Sequence, residues 1–253
     1  MAKVVSFSNQ KGGVGKTTSC VNISAQIANK GKRVLLIDMD PQGNATSGLG
    51  VPKAKVKKSI YDVLIGRCNI EEAIIKTNFK NLSVIPATID LAGAELELHD
   101  IDENLDFTKI SFDSIADNFD YIFIDCPPSL GLLTINALCA ADGVIVPMQC
   151  EYFALEGLSQ LMKTLQIVKK KYNPNLTLDG VVVTMFDGRL NLSLQVLEEI
   201  KKHLPGKLFR TPVPRNVRLS EAPSYGMPIK YYDKHSKGAK AYEDISEELI
   251  ERL

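Results

Sequence analysis

No stretch of about 18 consecutive apolar residues occurs in this 253-residue chain, so nothing in it is expected to span a membrane. The opening residues, Met1-Ala2-Lys3-Val4-Val5, enter an apolar run at once, so no signal peptide is expected. Cysteine is sparse: Cys20, Cys68, Cys126, Cys139 and Cys150 are odd in number and form no C-x-x-C pair. Most lie in apolar contexts, where cysteine behaves as a small buried hydrophobe, so they read as reduced core residues of a cytoplasmic protein. His99, His203 and His235 have no metal-ligand spacing, and no Ser/His/Asp arrangement is apparent. There is no linker rich in Pro, Gly or Ser and no internal repeat. With 45% hydrophobic residues, the chain suffices for one sizeable domain over residues 1–253.

Net charge is also missing, but its absence conceals an asymmetry. From Asp90 to Asp125 eleven carboxylates face one lysine, Lys109, a local balance of −10. From Lys163 to Lys237 fourteen Lys/Arg stand against six Asp/Glu, a balance of +8. A basic C-terminal half points toward a polyanionic partner, with two ordinary solvated faces as the bland alternative.

What is present is a rhythm of β-rich and helical segments. Strands are expected at Val4–Ser8, Val34–Ile37, Leu82–Ile85, Tyr121–Ile124, Gly143–Pro147, Leu178–Thr184 and a short Lys207–Phe209. Several are continuously apolar, as in parallel strands buried on both faces. Helical patterns occupy Thr17–Asn29, Leu130–Ala140, Leu155–Tyr172, Leu192–His203 and Lys237–Leu253. The alternation predicts an α/β fold: a doubly wound, mostly parallel sheet with ligands at the carboxyl ends of its strands.

The most informative stretch is Gln10-Lys11-Gly12-Gly13-Val14-Gly15-Lys16-Thr17-Thr18, between the first strand and the first helix. Glycines let backbone N–H groups turn inward, and a helix N-terminus favours an anion. Lys16 would reach the β- and γ-phosphates of a nucleotide, and the Thr17 hydroxyl would ligate Mg²⁺. The common G-x-x-x-x-G-K-[ST] pattern would put glycine at position 10. This chain has Gln10 there and Lys11 next, the deviant Walker A form. Three glycines, two lysines and a hydroxyl in this register should arise by chance on the order of one time in ten thousand. Two further loops follow strands: Asp38-Met39-Asp40-Pro41-Gln42-Gly43-Asn44, and Asp125-Cys126-Pro127-Pro128-Ser129 after Tyr121-Ile122-Phe123-Ile124. The latter has the Walker B form, and its carboxylate would bind Mg²⁺ through water. One Asp after a strand is weak, because turns favour Asp. Three such loops in order are strong.

On these motifs, and on Pro214-Arg215-Asn216-Val217-Arg218-Leu219-Ser220-Glu221-Ala222-Pro223, the chain resembles the ParA/Soj family of chromosome- and plasmid-partitioning ATPases, within the ParA/MinD group. The resemblance runs from Ala2 to the C-terminus. It implies that ATP with Mg²⁺ drives two subunits into a homodimer, with Lys11 of each touching the other's nucleotide and Gly12 at the interface. Lys11, Lys16 and Asp40 are then catalytic, with Asp40 positioning the hydrolytic water. Lys11, Gly12, Gly13, Val14, Gly15, Lys16, Thr17 and Thr18 hold the nucleotide, and the adenine lies near Met185 and Pro214. Thr17 meets Mg²⁺ directly, while Asp40 and Asp125 act through water. Valine at position 12 would collide with the facing subunit, and the backbone there is also expected to favour glycine.

The family's larger members carry an N-terminal helix-turn-helix region. Here the phosphate loop begins ten residues in, so that region is expected to be absent. DNA contacts are then expected from Arg189, Arg215 and Arg218. Without a reading helix they would be nonspecific, salt-sensitive contacts to double-stranded DNA. For each arginine a surface or ion-pair role is the bland alternative. The resemblance implies weak hydrolysis, stimulated by a ParB-type partner, and a cytoplasmic, nucleoid-associated protein. Two other readings share the ATPase core. A MinD-like membrane regulator would need a basic amphipathic C-terminal helix, whereas this C-terminus has an acidic polar face. An ATPase with an iron–sulfur cluster would need interface cysteines, whereas Cys126 reads as core.

Overall fold

A computed structural model describes residues 1–97 and 101–253. His99 therefore lies outside the described residues, as does part of the acidic stretch. In chain order the elements are β1 (Lys3–Phe7), α1 (Lys16–Asn29), β2 (Val34–Asp38), α2 (Asn44–Gly48), α3 (Ile60–Leu64), β3 (Ile75–Lys76), β4 (Leu82–Ile85), α4 (Leu91–Glu97), α5 (Ile101–Ile115) and β5 (Tyr121–Asp125). There follow α6 (Leu132–Ala140), β6 (Gly143–Gln149), α7 (Ala154–Lys171), β7 (Thr177–Thr184), α8 (Asn191–His203), α9 (Val217–Glu221), α10 (Ile229–Tyr232) and α11 (Lys237–Arg252).

Seven strands form one sheet in the order β3-β4-β2-β5-β1-β6-β7, parallel except for the edge pair β3–β4. This is the doubly wound α/β sheet expected from the sequence. Because strand side chains alternate, each strand feeds two apolar layers. Val4, Leu35, Ile37, Ile122, Ile124, Val144 and Val183 pack with α3, α6, α7 and α8. Val5, Phe7, Leu36, Val84, Phe123, Ile145 and Val182 pack with α1 and α11. Both faces being covered explains why the strands read as continuous apolar runs.

The C-terminal half of the second layer is fastened to α1 by polar side chains. Asn22 Oδ1 accepts from the Ile229 N–H at 2.7 Å, Gln26 Nε2 donates to the Ala239 carbonyl at 3.2 Å, and the Ser19 and Tyr242 hydroxyls are 3.1 Å apart. Spacings of three and four residues place Ser19, Asn22 and Gln26 on one side of the helix. That stripe ties the helix beginning at Lys16 to residues more than 200 positions later.

Two elements depart from expectation. Lys207–Phe209 is no strand. Leu208 bridges β7 at Val181 and, further along, the Val213 N–H donates to the Val183 carbonyl, so the segment meets β7 at separate points and not as a continuous ladder. Conversely, β3 is an antiparallel edge of two residues, too short for its alternation to be read.

Asn22→Ala should orphan the buried Ile229 N–H and cost about 1–3 kcal/mol in urea-induced unfolding. An unchanged midpoint and slope would show that the α1 stripe is not what holds the C-terminal segment.

Candidate nucleotide site

Strand register creates the site. In the pairing of β1, β5 and β2, Phe7 stands opposite Asp125 and Asp125 opposite Asp38, so three loops leave the sheet at one level. The Met39 N–H donates to the Asp125 carbonyl at 2.9 Å, and the Cys126 N–H to the Phe7 carbonyl at 3.2 Å. These bonds carry the pairing past the last strand residues and fix the loop origins.

The glycine loop between β1 and α1 is shaped by two left-handed residues, Gly13 (φ 73°) and Gly15 (φ 84°). A Cβ on Gly15 would lie 3.4 Å from Thr184 Cγ2, so that side is closed as well as strained. Gly12 corrects one expectation. Its backbone is outside the left-handed region, and an added Cβ would meet only Pro128 Cβ, at an ordinary 3.8 Å. Within one chain, nothing about position 12 demands glycine.

Neighbouring strand ends brace the loop. Thr184 Oγ1 donates to the Val14 carbonyl at 2.7 Å, Gln149 Nε2 to the Gly13 carbonyl at 2.9 Å, and Asn9 Nδ2 to the Pro147 carbonyl at 2.8 Å. Gln10, where the common motif has glycine, reaches Gln160 of α7 at 2.5 Å. Thr184 and Gln149 escaped the sequence reading. The available signal was a polar residue closing an apolar strand, the same signal that marks Asp38 and Asp125.

Lys16 lies buried at the first position of α1, its Nζ donating to the Lys11 carbonyl at 3.0 Å. Burial pulls its pKa below the usual lysine value, against the pull of the Asp125 and Asp40 carboxylates. Lys11 is half exposed and ion-paired with Glu151 of its own chain. In this arrangement the early lysine points along its own subunit, so crossing to another would require exchanging Glu151 for a new anion.

The carboxylates differ sharply in their surroundings. Asp38 is fully buried and accepts three hydrogen bonds, two from Thr46 and one from the Asp40 N–H. Burial still pushes it up to about 6. Asp40 is buried, and among the described residues its carboxylate accepts from the Gln42 N–H, at 2.9 Å. Asp125 is fully buried with the Thr17 hydroxyl facing it, yet among the described residues neither of its oxygens has a hydrogen-bond partner of normal geometry. Burial raises its pKa well above the carboxylate range, and the Asp38 charge adds to this. A buried carboxylate without donors is costly unless a cation satisfies it. With Thr17 beside it, the donor set is hydroxyl and carboxylate oxygen, which suits a hydrated divalent ion such as Mg²⁺. Cys126 is buried too, its thiol pushed up to about 12, and the described residues hold no cluster of three or more metal ligands.

Beside the loop opens a cavity of about 540 Å³, lined by Gly15, Thr18, Met185, Pro214, Asn216 and Tyr242 among others. Met185 adopts a left-handed φ of 50°, unusual for its residue type, and its sulfur accepts from Gln149. The cavity can hold a nucleoside with its phosphates toward the glycine loop. A second cavity, about 560 Å³ between α3 and α4, includes none of the glycine-loop residues.

The three arginines are distributed differently. Arg189 is exposed and forms a two-pronged pair with Asp187, which holds that carboxyl down to about 2. Arg218 pairs with Glu221 and Asp233. Arg215 has no ion-pair partner among the described residues and lines the cavity beside the glycine loop. None of the three is buried.

Sequence and structure comparisons agree with this geometry. Residues 2–178 match the family described as AAA domain. The chain is 55% identical to the sporulation initiation inhibitor protein Soj of Bacillus subtilis, with 98% of each chain covered. It is 49% identical to the chromosome partitioning protein ParA of Myxococcus xanthus, covering 100% of this chain and 89% of that one. Among solved structures, cobyrinic acid a,c-diamide synthase from Mycobacterium smegmatis, with bound ATP analog and magnesium, superposes with a TM-score of 0.86. That match is 37% identical and covers 99% of this chain and 95% of the other.

Two outcomes follow from the site. Lys16→Ala should abolish MgADP binding measured by calorimetry, since the main cation of the loop is lost. Parent-like affinity would mean that phosphate sits elsewhere. Asp125→Asn should raise the melting temperature of the nucleotide-free chain at about pH 8. A carboxyl whose folded pKa is raised stabilises the fold only while protonated, so that contribution is present near pH 4 and lost as pH rises through the raised value. The variant's advantage should therefore shrink toward zero near pH 4. An advantage that did not vary with pH would rule out the buried charge as its cause.

Proposed function

The chain belongs to the ParA/Soj family of chromosome-partitioning P-loop ATPases, and from that premise we propose that it is a nucleotide-controlled DNA-binding switch. ATP with Mg²⁺ is its cofactor pair. The reading rests on the alignment of the glycine loop, Asp40 and Asp125 at one end of the sheet. Bound MgATP would supply the electrophilic phosphorus and a divalent charge. Lys16 and the loop N–H groups would hold the phosphates, and Thr17 with Asp125 would hold the metal ion. Asp40, buried at the same strand end, would hold the attacking water.

Two subunits close over their nucleotides, each Lys11 leaving Glu151 for the other's phosphates, with Gly12 at the contact. Dimerisation doubles the DNA-binding surface, and avidity then makes DNA affinity follow nucleotide state. Arg189, Arg215 and Arg218 contact the phosphate backbone without reading sequence. The in-chain pairs of Arg189 and Arg218 are exposed, and exposed pairs hold weakly enough for a DNA phosphate to displace the carboxylate. DNA binding places the ATP-bound dimer on the nucleoid, and hydrolysis, stimulated by a ParB-type centromere-binding partner, releases it. The C-terminal helix supports this reading over a membrane-bound one. α11 buries Ala241, Tyr242, Ile245 and Leu249 in the core, leaving no apolar face for lipid.

Asp40→Ala should keep MgATP binding and dimerisation while abolishing hydrolysis, so the variant accumulates as a dimer on DNA. Parent-like turnover would remove Asp40 from the mechanism. Arg189→Ala and Arg218→Ala should each dimerise with ATP yet bind DNA more weakly. For each, the slope of log affinity against log salt should flatten by about one per lost contact. Unchanged affinity and slope would return that arginine to its ion pair.

A further inference from the structure

We propose that Thr46 is a positioning residue for hydrolysis, acting through Asp38 on Asp40. The inference rests on Asp40 holding the attacking water, as proposed above. Thr46 lies fully buried in α2. Its backbone N–H and its hydroxyl both donate to Asp38 Oδ2, at 2.8 and 2.7 Å. The same hydroxyl accepts from the Ala87 N–H at 3.0 Å, so its one proton and one of its lone pairs are both engaged. The other oxygen of Asp38 accepts from the Asp40 N–H at 3.2 Å.

A continuous chain of hydrogen bonds thus runs from the end of β4, through Thr46, to the carboxylate at the end of β2, and on to the Asp40 main chain. Beyond it, the Gly43 N–H closes the turn onto the Asp40 carbonyl at 2.8 Å. Little slack remains in the loop. A Cβ on Gly43 would lie 2.9 Å from the Ala87 carbonyl oxygen, so the loop already rests on the residue that donates to Thr46. Among the described residues the hydrogen bonds to the Asp38 carboxylate come from the Asp40 loop and α2, not from the glycine loop. Loss of the Thr46 hydroxyl therefore removes one of the two donors that Thr46 gives Asp38 Oδ2, loosening the carboxylate that orients Asp40, and strands the Ala87 N–H. Phosphate-binding atoms are untouched. Misplacement by about 1 Å of a group that positions a reactant can cost about a hundredfold in rate.

The test compares Thr46→Val, which removes the hydroxyl at similar size, with Thr46→Ser, which keeps it. Single-turnover ATP hydrolysis with Mg²⁺, MgADP affinity by calorimetry, and amide hydrogen exchange at Ala87 are measured on the full chain. The valine variant should hydrolyse about tenfold or more slowly, with MgADP affinity within about twofold of the parent and faster exchange at Ala87. Serine should bring the rate back to within about threefold. Parent-like hydrolysis by Thr46→Val, alongside an inactive Asp40→Ala, would overturn the role of Thr46 and leave that of Asp40 standing. An active Asp40→Ala would overturn the reading beneath it. Loss of MgADP affinity in both Thr46 variants, without rescue by serine, would mark Thr46 as merely structural and also overturn the proposal.

Discussion

The pairing of β5 between β1 and β2 is the constraint on which the site depends. Phe7, Asp125 and Asp38 stand side by side, and each begins a loop that turns over the sheet edge. Because strand side chains alternate, a one-residue slip of β5 would drive Phe123 and Ile124 onto the wrong faces. It would also point Asp125 away from the glycine loop. The apolar layers on both sides forbid that slip, so the hydrophobic core sets the position of a carboxylate. Burial raises Asp125 and Asp38 well above the usual carboxylate range, a cost that the isolated fold carries and a divalent cation could relieve.

A second layer of organisation joins the nucleotide side to the C-terminal half. α1 starts at Lys16 and carries Ser19, Asn22 and Gln26 into hydrogen bonds with Tyr242, Ile229 and Ala239. Tyr242 and the segment from Val213 to Pro223 line the cavity beside the glycine loop. Gly226 and Gly50 meet backbone to backbone, and a Cβ on Gly226 would come within 2.7 Å of Gly50 Cα. The stretch that bears Arg215 and Arg218 is therefore held between that cavity and the end of α2. A change at the nucleotide has short physical routes to those arginines, one through the cavity wall and one through α2.

Much of this was legible in the sequence because it is written in local pattern. Continuous apolar runs gave the six parallel strands within one or two residues, and the glycine loop announced the first turn. Asp38, Asp40 and Asp125 stood out as polar residues ending such runs. Pairings between distant residues were not legible. Nothing in the sequence says that Thr184 will brace Val14, that Thr46 will latch Asp38, or that Glu151 will hold Lys11. Each depends on which strand neighbours which, a property of topology rather than periodicity. Lys207–Phe209 reads as a strand because β propensity is local, whereas in the fold only Leu208 of that segment bridges β7. Gly12 looked conformationally special because it stands among glycines that are.

The central claim is that nucleotide state governs DNA affinity. Binding of the unmodified protein to one nonspecific duplex, measured with MgATP, MgADP and no nucleotide across a salt series, tests it most directly. Tight binding should occur only with MgATP, with a salt slope steeper than in the other two states because two subunits contribute contacts. Equal affinity and equal slope in all three states would contradict the account.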